Sequence, residues 1–412
     1  MSEEKLSRRE LLRGAAAMAG VAVVAQVQDK VALPAPVVPL DASLVQGAPT
    51  SALSERSPFV TEARTGTGVV TGASFSPIQD FSGSIFPTDL HFERHHNGVA
   101  QIDPSKYTLL VQNTHGAKSV VLTLDDIKRF PSVSRAYFLE CAGNGRSCYR
   151  APKREMTAQV IDGMLGSAEW TGVPVRALFA ELGIHVAPNA HWVLAEGGDA
   201  SRLSRSIPLE KMLDDALLVY AQNGEPLRPP AGFPVRLLVP GWEGNANIKW
   251  LRRLKVIAEP NMSKDETSKY TDPLPNDTAR QFSFELDVKS IITRPSFPMK
   301  AVRGWQQVEG IAWTGRGKVA RVDVSTDGGR TWTMAELQDP IQSKAITRFR
   351  LMWNWDGRAT TLLSRALDET GAVQPTLAEF KATRGPGTDY HFNHIRSWAV
   401  ESDGSVFYAV PA

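Results

Sequence analysis

The sequence predicts an α+β protein in which a mixed α/β domain is followed by an immunoglobulin-like β-sandwich. Between residues 69 and 260, strand-like apolar runs alternate with segments that carry helix-capping signals. From about residue 287 to residue 412, short alternating strands are separated by turn signals roughly every ten residues, which is typical of a sandwich. The 412-residue length also fits two or three domains at roughly 150 residues per domain.

Local patterns define the elements of the first domain. Residues 123–131 predict a short helix that begins at a threonine cap and ends at a proline, and residues 175–183 predict a helix closed by a glycine. Strands are predicted at residues 107–112, 135–140, 192–195 and 235–239. Residues 261–286 are predicted to connect this domain to the sandwich.

The strongest local signal in the second domain is a β-hairpin. The turn sequence TDGGR at residues 326–330 separates strand-like residues 318–325 from residues 331–333. Further strands are predicted at residues 310–313, 362–368 and 396–400.

Residues 1–26 have the layout of a cleavable export signal. Residues 7–13 (SRRELLR) are basic, and residues 14–25 are mildly apolar and end in small side chains. A membrane span would need about 20 strongly apolar residues. The paired arginines predict the twin-arginine route, which exports proteins already folded, and therefore a periplasmic location. Residues 27–68, rich in Pro, Ala, Ser and Val, are predicted to be a linker.

The remaining composition excludes several classes of function. With 42% hydrophobic residues, 22% charged residues and a net charge of +2, the chain can bury large cores and has no charge excess that predicts nucleic-acid binding. No later segment is apolar enough to predict a membrane span. The sequence also has no Cys-x-x-Cys-His motif, so no haem is expected in this chain.

Cys141 stands where a strand-like run meets a glycine-rich turn, in the sequence CAGNGRS at residues 141–147. A disulfide with Cys148, a buried structural role, a nucleophile and a metal ligand are all open for this thiol. A soft thiolate favours a transition metal, and no second Cys/His pair lies at zinc-site spacing nearby. As a metal ligand, Cys141 would therefore need an organic cofactor to complete the site.

Several motifs, in order and in both domains, resemble the sulfite oxidase family of molybdenum enzymes. The match runs from about residue 75 to the C-terminus. Within the family, residues 240–245 and 267–272 are most similar to bacterial periplasmic sulfite dehydrogenases and to the catalytic subunit of sulfane dehydrogenase of the Sox system. The motifs are CAGNGRS at 141–147, EWTGVP at 169–174, GFPVRLLVPG at 232–241, IKWL at 248–251 and RVDVSTDGGRTW at 321–332.

The resemblance implies one molybdenum–molybdopterin cofactor per chain, with Cys141 as the single protein ligand to the metal. A histidine of the family pattern is Ala231 in this chain, so one cofactor contact is missing or comes from elsewhere. The matching cofactor-binding positions are Phe92, His95, His96, Asp199, Arg236, Asn247, Ile248 and Lys249.

The resemblance also implies a substrate pocket with three arginines, Arg94, Arg146 and Arg384, and an active-site tyrosine, Tyr270. Arginine suits oxyanions because it stays charged and donates hydrogen bonds in a fork. The aspartate that precedes the tyrosine in the family is Lys269 here.

The resemblance implies a periplasmic sulfite dehydrogenase that oxidises sulfite to sulfate and passes electrons to a separate c-type cytochrome, for which a stable subunit is one alternative. The sulfane dehydrogenase subunit lacks the arginine found here as Arg146, which favours free sulfite. Oxidation of carrier-bound sulfane sulfur is the alternative, and a non-catalytic exported binding subunit is a third possibility. The resemblance implies a homodimer formed through the sandwich domain.

Overall fold

The computed structural model describes residues 46, 49–113, 119–184, 188–274, 277–385 and 387–410. The predicted export signal and most of the first half of the predicted linker lie outside these residues. Met1–Val60 and Thr61–Ala412 are separate compact units, and the described residues of the smaller unit are exposed.

The first domain contains two larger sheets, one three-stranded sheet and short helices. Its strands are β1 (Thr65–Gly66), β2 (Ala73–Phe75), β3 (Glu93–Arg94), β4 (Thr108–Asn113), β5 (Val120–Thr123), β6 (Val133–Glu140), β7 (Leu165–Pro174), β8 (Trp192–Gly197), β9 (Ser204–Pro208), β10 (Leu217–Gln222), β11 (Glu225–Pro226), β12 (Arg236–Leu238) and β13 (Leu251–Ile257). Its helices are α1 (Leu124–Lys128), α2 (Arg146–Arg150), α3 (Ala158–Asp162), α4 (Val175–Glu181), α5 (Leu209–Asp214) and α6 (Lys264–Thr267), with 3₁₀ turns at Thr88–Leu90, Pro229–Ala231 and Gly244–Ala246.

One larger sheet has the order β11-β10-β7-β6, with β12 also paired to β10, and the other has the order β5-β4-β13-β8-β9. The pair β4–β13 is parallel, whereas the other strand pairs of these two sheets are antiparallel. Val173 and Leu218 of the first sheet and Val193 and Leu254 of the second are fully buried in one shared core. The mixed α/β prediction is thereby confirmed.

Antiparallel strands dominate the second domain, as predicted. Its strands are β14 (Asp272–Leu274), β15 (Thr278–Arg280), β16 (Lys289–Arg294), β17 (Gly304–Trp313), β18 (Val319–Ser325), β19 (Thr333–Met334), β20 (Glu336–Gln338), β21 (Thr347–Trp355), β22 (Thr360–Asp368), β23 (Ser397–Val400) and β24 (Val406–Tyr408), and its helix is α7 (Leu377–Arg384). Strands β14 and β15 form a separate hairpin. The sandwich sheets have the orders β16-β17-β21-β20 and β19-β18-β22-β23-β24.

The two domains share a hydrophobic core. Trp313, Phe349 and Trp398 of the sandwich belong to the same buried cluster as Phe138 of β6 and Ile161 of α3. At about 25 cal/mol for each Å² of apolar surface removed from water, such large side chains contribute strongly to the association of the domains. Because β6 leads directly to Cys141, this shared core also fixes where the cysteine lies.

Candidate active site

The backbone around Cys141 presents its thiol at the end of β6. The Cys141 amide donates to the Met164 carbonyl (3.0 Å), and the Cys141 carbonyl accepts the Asn144 amide (2.9 Å). The turn ends at Gly145, whose φ of 93° favours glycine. A Cβ atom at this position would also lie 2.4 Å from Arg396 Nη2, so the turn excludes larger residues.

A cleft of about 770 Å³, counting the space at its open side, lies beside this cysteine. The structure brings most of the predicted site residues together in its wall, but Arg146 and Arg384 are not among the lining residues. Those that do line the cleft are Phe92, Arg94, His95, His96, Cys141, Asp199, Arg236, Asn247, Ile248, Lys249 and Tyr270.

Cys141 is half-buried, whereas Cys148 is fully buried, and both are free cysteines. Burial raises the pKa of the Cys141 thiol, while a hydrogen bond from the Gly143 backbone and the positive charges of Arg94 and Arg146 act in the opposite direction. Cys148 Sγ donates to the Gly145 carbonyl (3.2 Å), which gives this second thiol a structural role in the turn.

One wall of the cleft is a chain of polar side chains from Glu93 to Lys249. Lys249 Nζ donates to His95 Nδ1 (2.8 Å), which leaves His95 Nε2 to donate to Glu93 Oε2 (3.0 Å). Although burial opposes it, hydrogen bonds from His95 and Arg64 lower the pKa of Glu93 to about 2. Burial, followed by the charge of Arg236, lowers the pKa of Lys249 well below its usual value. Two predicted cofactor residues are thus held in a defined orientation.

The cleft lining also contains buried polar atoms without hydrogen-bond partners. Arg236 donates to the Ala231 carbonyl (2.9 Å) and the Asn247 carbonyl (3.2 Å), but its Nε has no acceptor. Neither side-chain polar atom of Asn245 has a partner. Burial lowers the pKa of His91 to about 4, so its ring is neutral at pH 7. His91 Nδ1 donates to the Phe92 carbonyl (3.0 Å), and its Nε2 is left as a free acceptor.

The remaining predicted cofactor residues shape the cleft through hydrogen bonds with the backbone and with nearby side chains. The Asn247 side chain accepts the Val239 amide (2.7 Å) and donates to two carbonyls, so it shapes the backbone next to Arg236. The Ile248 carbonyl accepts the Leu237 amide (2.8 Å), while its side chain is buried in the cleft wall. Asp199 accepts a short hydrogen bond from the Ser201 hydroxyl.

Tyr270 projects its hydroxyl toward His96 at the cleft. The Tyr270 hydroxyl lies 2.7 Å from His96 Nε2, and burial lowers the pKa of His96 to about 4. Burial also raises the pKa of Tyr270, so the tyrosine stays protonated and its hydroxyl donates a hydrogen bond to the neutral imidazole. The guanidinium of the fully buried Arg205 lies 5.4 Å from the centre of the Tyr270 ring. The Tyr270 hydroxyl is therefore held in place by contacts at the oxygen and at the ring of the side chain.

Arg146 and Arg384 are each engaged by carboxylates outside the cleft lining. Arg146 Nη2 donates to the Asp389 carbonyl (2.7 Å), its Nε lies 3.8 Å from Asp389 Oδ1, and its guanidinium lies 5.5 Å from the centre of the Tyr390 ring. Arg384 pairs with Asp272 (3.2 Å) and Asp287 (2.5 Å). The predicted three-arginine pocket is thus not assembled at the cleft.

Arg94 differs from these two arginines. It lines the cleft, donates to the Gly72 carbonyl (3.3 Å), and makes a short hydrogen bond to the His95 carbonyl. Within the described parts of the chain, no carboxylate lies within salt-bridge distance of Arg94. Arg94 is therefore the predicted substrate arginine with charge available at the cleft.

Sequence reasoning did not single out several residues that contribute to the site. Asn245 lies in a segment used for the family resemblance, so its motif could have identified it. Glu93 and His91 flank the predicted Phe92 and could have been inferred from proximity. Asp389 and Tyr390 had no such signal, because they come from an irregular segment of the sandwich domain far along the chain.

Comparisons with known proteins agree with this geometry. Residues 96–265 match the family model "Oxidoreductase molybdopterin binding domain", and residues 280–397 match the "Mo-co oxidoreductase dimerisation domain". Together with the relatives described next, these matches show that the chain belongs to the sulfite oxidase family of molybdopterin oxidoreductases.

Mitochondrial sulfite oxidase of Mus musculus is 33% identical over 342 residues, covering 76% of this chain and 62% of that protein. Sulfite oxidase of Gallus gallus is 32% identical over 312 residues, covering 70% of this chain and 68% of that protein. The chain spans about three fifths of the length of the mammalian sulfite oxidases. The crystal structure of the sulfane dehydrogenase SoxCD from Paracoccus pantotrophus superimposes with a TM-score of 0.82 at 38% identity, covering 92% of this chain and all of that chain.

The cleft residues fit a molybdopterin. A buried polar atom without a partner costs roughly 1–3 kcal/mol, and a polar heterocycle would satisfy such atoms on Arg236 and Asn245. Arg236 Nε is a free donor suited to a phosphate, and the Cys141 thiol at the same cleft can bind a soft metal.

The described residues contain no group of three or more His, Cys, Asp or Glu side chains placed to hold a metal ion. Among the same residues, no helix is both long and apolar enough to cross a membrane.

Proposed function

We propose that this chain is the molybdenum-bearing subunit of a dehydrogenase that oxidises carrier-bound sulfane sulfur. The observation that carries the proposal is the pairing of Arg146 with Asp389 and of Arg384 with two aspartates, so that Arg94 alone of the three predicted substrate arginines lines the cleft without a carboxylate partner. Such a cleft carries less positive charge than a small free dianion would favour. The 38% identity to sulfane dehydrogenase over that whole chain supports the same substrate class.

Free sulfite is the second candidate, because Arg146 is retained next to Cys141 and its contacts with Asp389 are half exposed. A turn of the Arg146 side chain would bring a second guanidinium toward an oxyanion in the cleft. Steady-state assays with cytochrome c as acceptor compare free sulfite with a sulfane-loaded carrier protein. Turnover that requires the carrier supports the proposal, and rapid turnover of free sulfite alone contradicts it.

When bound, the molybdenum cofactor supplies the two-electron redox chemistry. In the proposal, Cys141 binds the metal, and Arg236, Asn245 and Lys249 hold the organic part of the cofactor. Arg94 binds the anionic end of the substrate. Tyr270 remains protonated at neutral pH, and its hydroxyl donates to His96 or to an oxygen of the substrate.

The cellular setting is also part of the proposal. The paired arginines at residues 8 and 9 support folded export to the periplasm, and a separate c-type cytochrome would accept the electrons. We further propose a homodimer formed through the sandwich, since residues 280–397 match a dimerisation domain.

The metal role of Cys141 is tested by replacing each cysteine in turn. We expect Cys141→Ser to lose at least 100-fold in kcat with its thermal unfolding midpoint nearly unchanged, because the thiol lies at the cleft. The matched control, Cys148→Ser, should keep its activity and lose some stability, since Cys148 is buried.

Molybdenum analysis of the wild-type protein, purified from a host that makes the cofactor, distinguishes an enzyme from a non-catalytic subunit. A stable preparation without molybdenum would refute the proposal.

A further inference from the structure

We propose that four buried charged residues from both domains position the Cys141 turn, so that the sandwich domain forms part of the metal site. Glu140 and Asp162 come from the first domain, and Lys289 and Arg396 come from the sandwich. All four residues are at most 3% exposed. We call this set the buried charge network. Its proposed role rests on the assignment of Cys141 as the metal ligand.

The network connects the domains through short, charge-assisted contacts. Lys289 Nζ lies 3.0 Å from Glu140 Oε1 and 2.5 Å from Asp162 Oδ1. Arg396 approaches Asp162 with both Nε (3.0 Å) and Nη2 (3.2 Å). Two acids from one domain are thus balanced by two bases from the other, and hydrogen bonds between ionised groups are stronger and more directional than neutral ones.

The network holds the Cys141 turn on both sides. Before the cysteine, Glu140 is adjacent in sequence and also accepts Trp313 Nε1 (2.6 Å) from the sandwich. After the cysteine, Asn144 Nδ2 donates to Glu140 Oε1 (2.9 Å) and to the Asp162 carbonyl (3.0 Å). The Arg396 guanidinium packs against Gly145 so closely that a Cβ atom would not fit there. A shift of Lys289 or Arg396 would therefore be transmitted to the turn.

Because these four charged side chains are buried, a role in positioning the turn explains their presence better than a role in stability does. Buried ion pairs often contribute little net stability compared with apolar side chains of similar size, because the charges lose their hydration. Their geometry, however, is highly specific. Trp313 donates to one oxygen of Glu140, while Lys289 and Asn144 donate to the other. These directional contacts define the position of the chain next to Cys141.

The test separates positioning from stability with two variants. Lys289→Met leaves two buried acids opposite one base and should lower the urea unfolding midpoint. The double variant Glu140→Gln/Lys289→Met keeps the Asp162–Arg396 pair and balances the charges again. We expect its unfolding midpoint to return toward the wild-type value, because the remaining charges are paired.

The readout is the rate at which iodoacetamide modifies Cys141 in the full-length, cofactor-free chain, measured by peptide mass spectrometry. We expect an increase of at least fivefold in the double variant. Lys289→Arg, which keeps the charge, should restore a rate near that of the wild type. Arg350→Met removes an exposed ion pair of the sandwich (Arg350–Glu336, 2.6 Å) and serves as the control that should change nothing.

A wild-type alkylation rate in the folded double variant would overturn the inference, even if Lys289→Met alone fails to fold. A double variant that unfolds well below the wild-type urea midpoint would also overturn it, because that result indicates general loosening. The alkylation result does not depend on the metal. A Cys141→Ser protein that still binds molybdenum and turns over would instead refute the proposed function.

Discussion

At the scale of single residues, Arg146 shows how contacts across the domain boundary change the expected role of a side chain. Its position after Cys141 predicts a substrate arginine, yet it interacts with the backbone and carboxylate of Asp389 and with Tyr390. Arg150 binds the same carboxylate at 2.8 Å. The charge that Arg146 can offer a substrate therefore depends on Asp389.

Replacing Asp389 tests this dependence. In Asp389→Asn the Arg146 guanidinium loses its carboxylate partner, and we expect the KM for an anionic sulfur substrate to fall about two- to fivefold with kcat nearly unchanged. This range corresponds to the up to ~1 kcal/mol typical of an exposed ion pair. Steady-state kinetics provides the measurement, and Asp403→Asn, which removes an exposed carboxylate 4.0 Å from Lys300, is the control. Equal KM values in both variants would show that Arg146 does not bind substrate.

The cleft residues themselves could be predicted well from sequence, because they lie in short motifs around Cys141, Arg236 and Lys249. The partners of these residues could not. Asp389 and Lys289 reach the site only through packing of the sandwich, and neither has a local pattern that distinguishes it from a surface charge.

At the scale of elements, the connection from β6 to α2 combines a presented thiol with a tightly packed glycine. Gly145 has a positive φ and faces Arg396 and Phe392 at distances that leave no room for a side chain. Gly224, in the turn between β10 and β11, also has a positive φ (79°) but has open space around its Cα.

The two glycines form a matched pair for mutation. Gly224→Ala should lower the free energy of unfolding by about 1–2 kcal/mol, the cost of a left-handed conformation for alanine. Gly145→Ala should cost at least ~2 kcal/mol more, because its Cβ would overlap with Arg396. Urea titration of both variants measures the difference. Similar losses would mean that the Arg396 contact does not restrict the turn.

Local chemistry explains which elements were predictable. Helix α1 begins at Thr123 with the reciprocal Thr123–Asp126 hydrogen bonds of a capping box, and α4 is followed by Gly183 with φ 60°. The hairpin β18–β19 was also predicted, but its second strand is Thr333–Met334, slightly later than expected. The side chain of Asp327 accepts the Thr331 amide and extends the turn, which explains this shift.

At the scale of the whole molecule, the order of domains could be predicted because the periodicity of the sequence changes near residue 287. Their shared core could not, since the same apolar residues would fit a core confined to one domain. Phe138 and Trp313, for example, are both buried, and only the structure shows that they belong to one cluster.

Buried neutral histidines should make the folded protein sensitive to acid. Burial lowers the pKa of His394 far below its usual value, so the native state excludes a proton that the unfolded chain binds below about pH 6.5. Stability should therefore fall as the pH drops from 7.5 to 5. We expect His394→Leu to reduce this loss by about 1–2 kcal/mol, measured by urea unfolding at both pH values. If His394→Leu and the exposed control His191→Leu lose the same unfolding free energy between pH 7.5 and pH 5, buried His394 is not the cause of the acid sensitivity.

An exposed apolar surface on the sandwich is the candidate contact for the proposed dimer. Trp305 of β17 and Met352 of β21 are 71% and 57% exposed on neighbouring strands, and Val302 precedes them at 69%. Large apolar side chains grouped in this way are typical of protein interfaces.

Light scattering tests this dimer contact. We expect Trp305→Asp to convert the dimer into a monomer, because burying a carboxylate without a partner is unfavourable. Val121→Asp, at an exposed apolar position of the first domain (60%), should leave the mass unchanged. A dimeric Trp305→Asp protein would place the contact elsewhere.

The buried charge network has a consequence for biosynthesis. Two of its members, Lys289 and Arg396, are translated long after Cys141, so a nascent chain that has just exposed the cysteine lacks the groups that hold its turn. We expect the metal site to be completed only after translation of the sandwich, which makes insertion of the cofactor a late, post-translational step. This sequence of events would agree with the export of an already folded protein that we propose above.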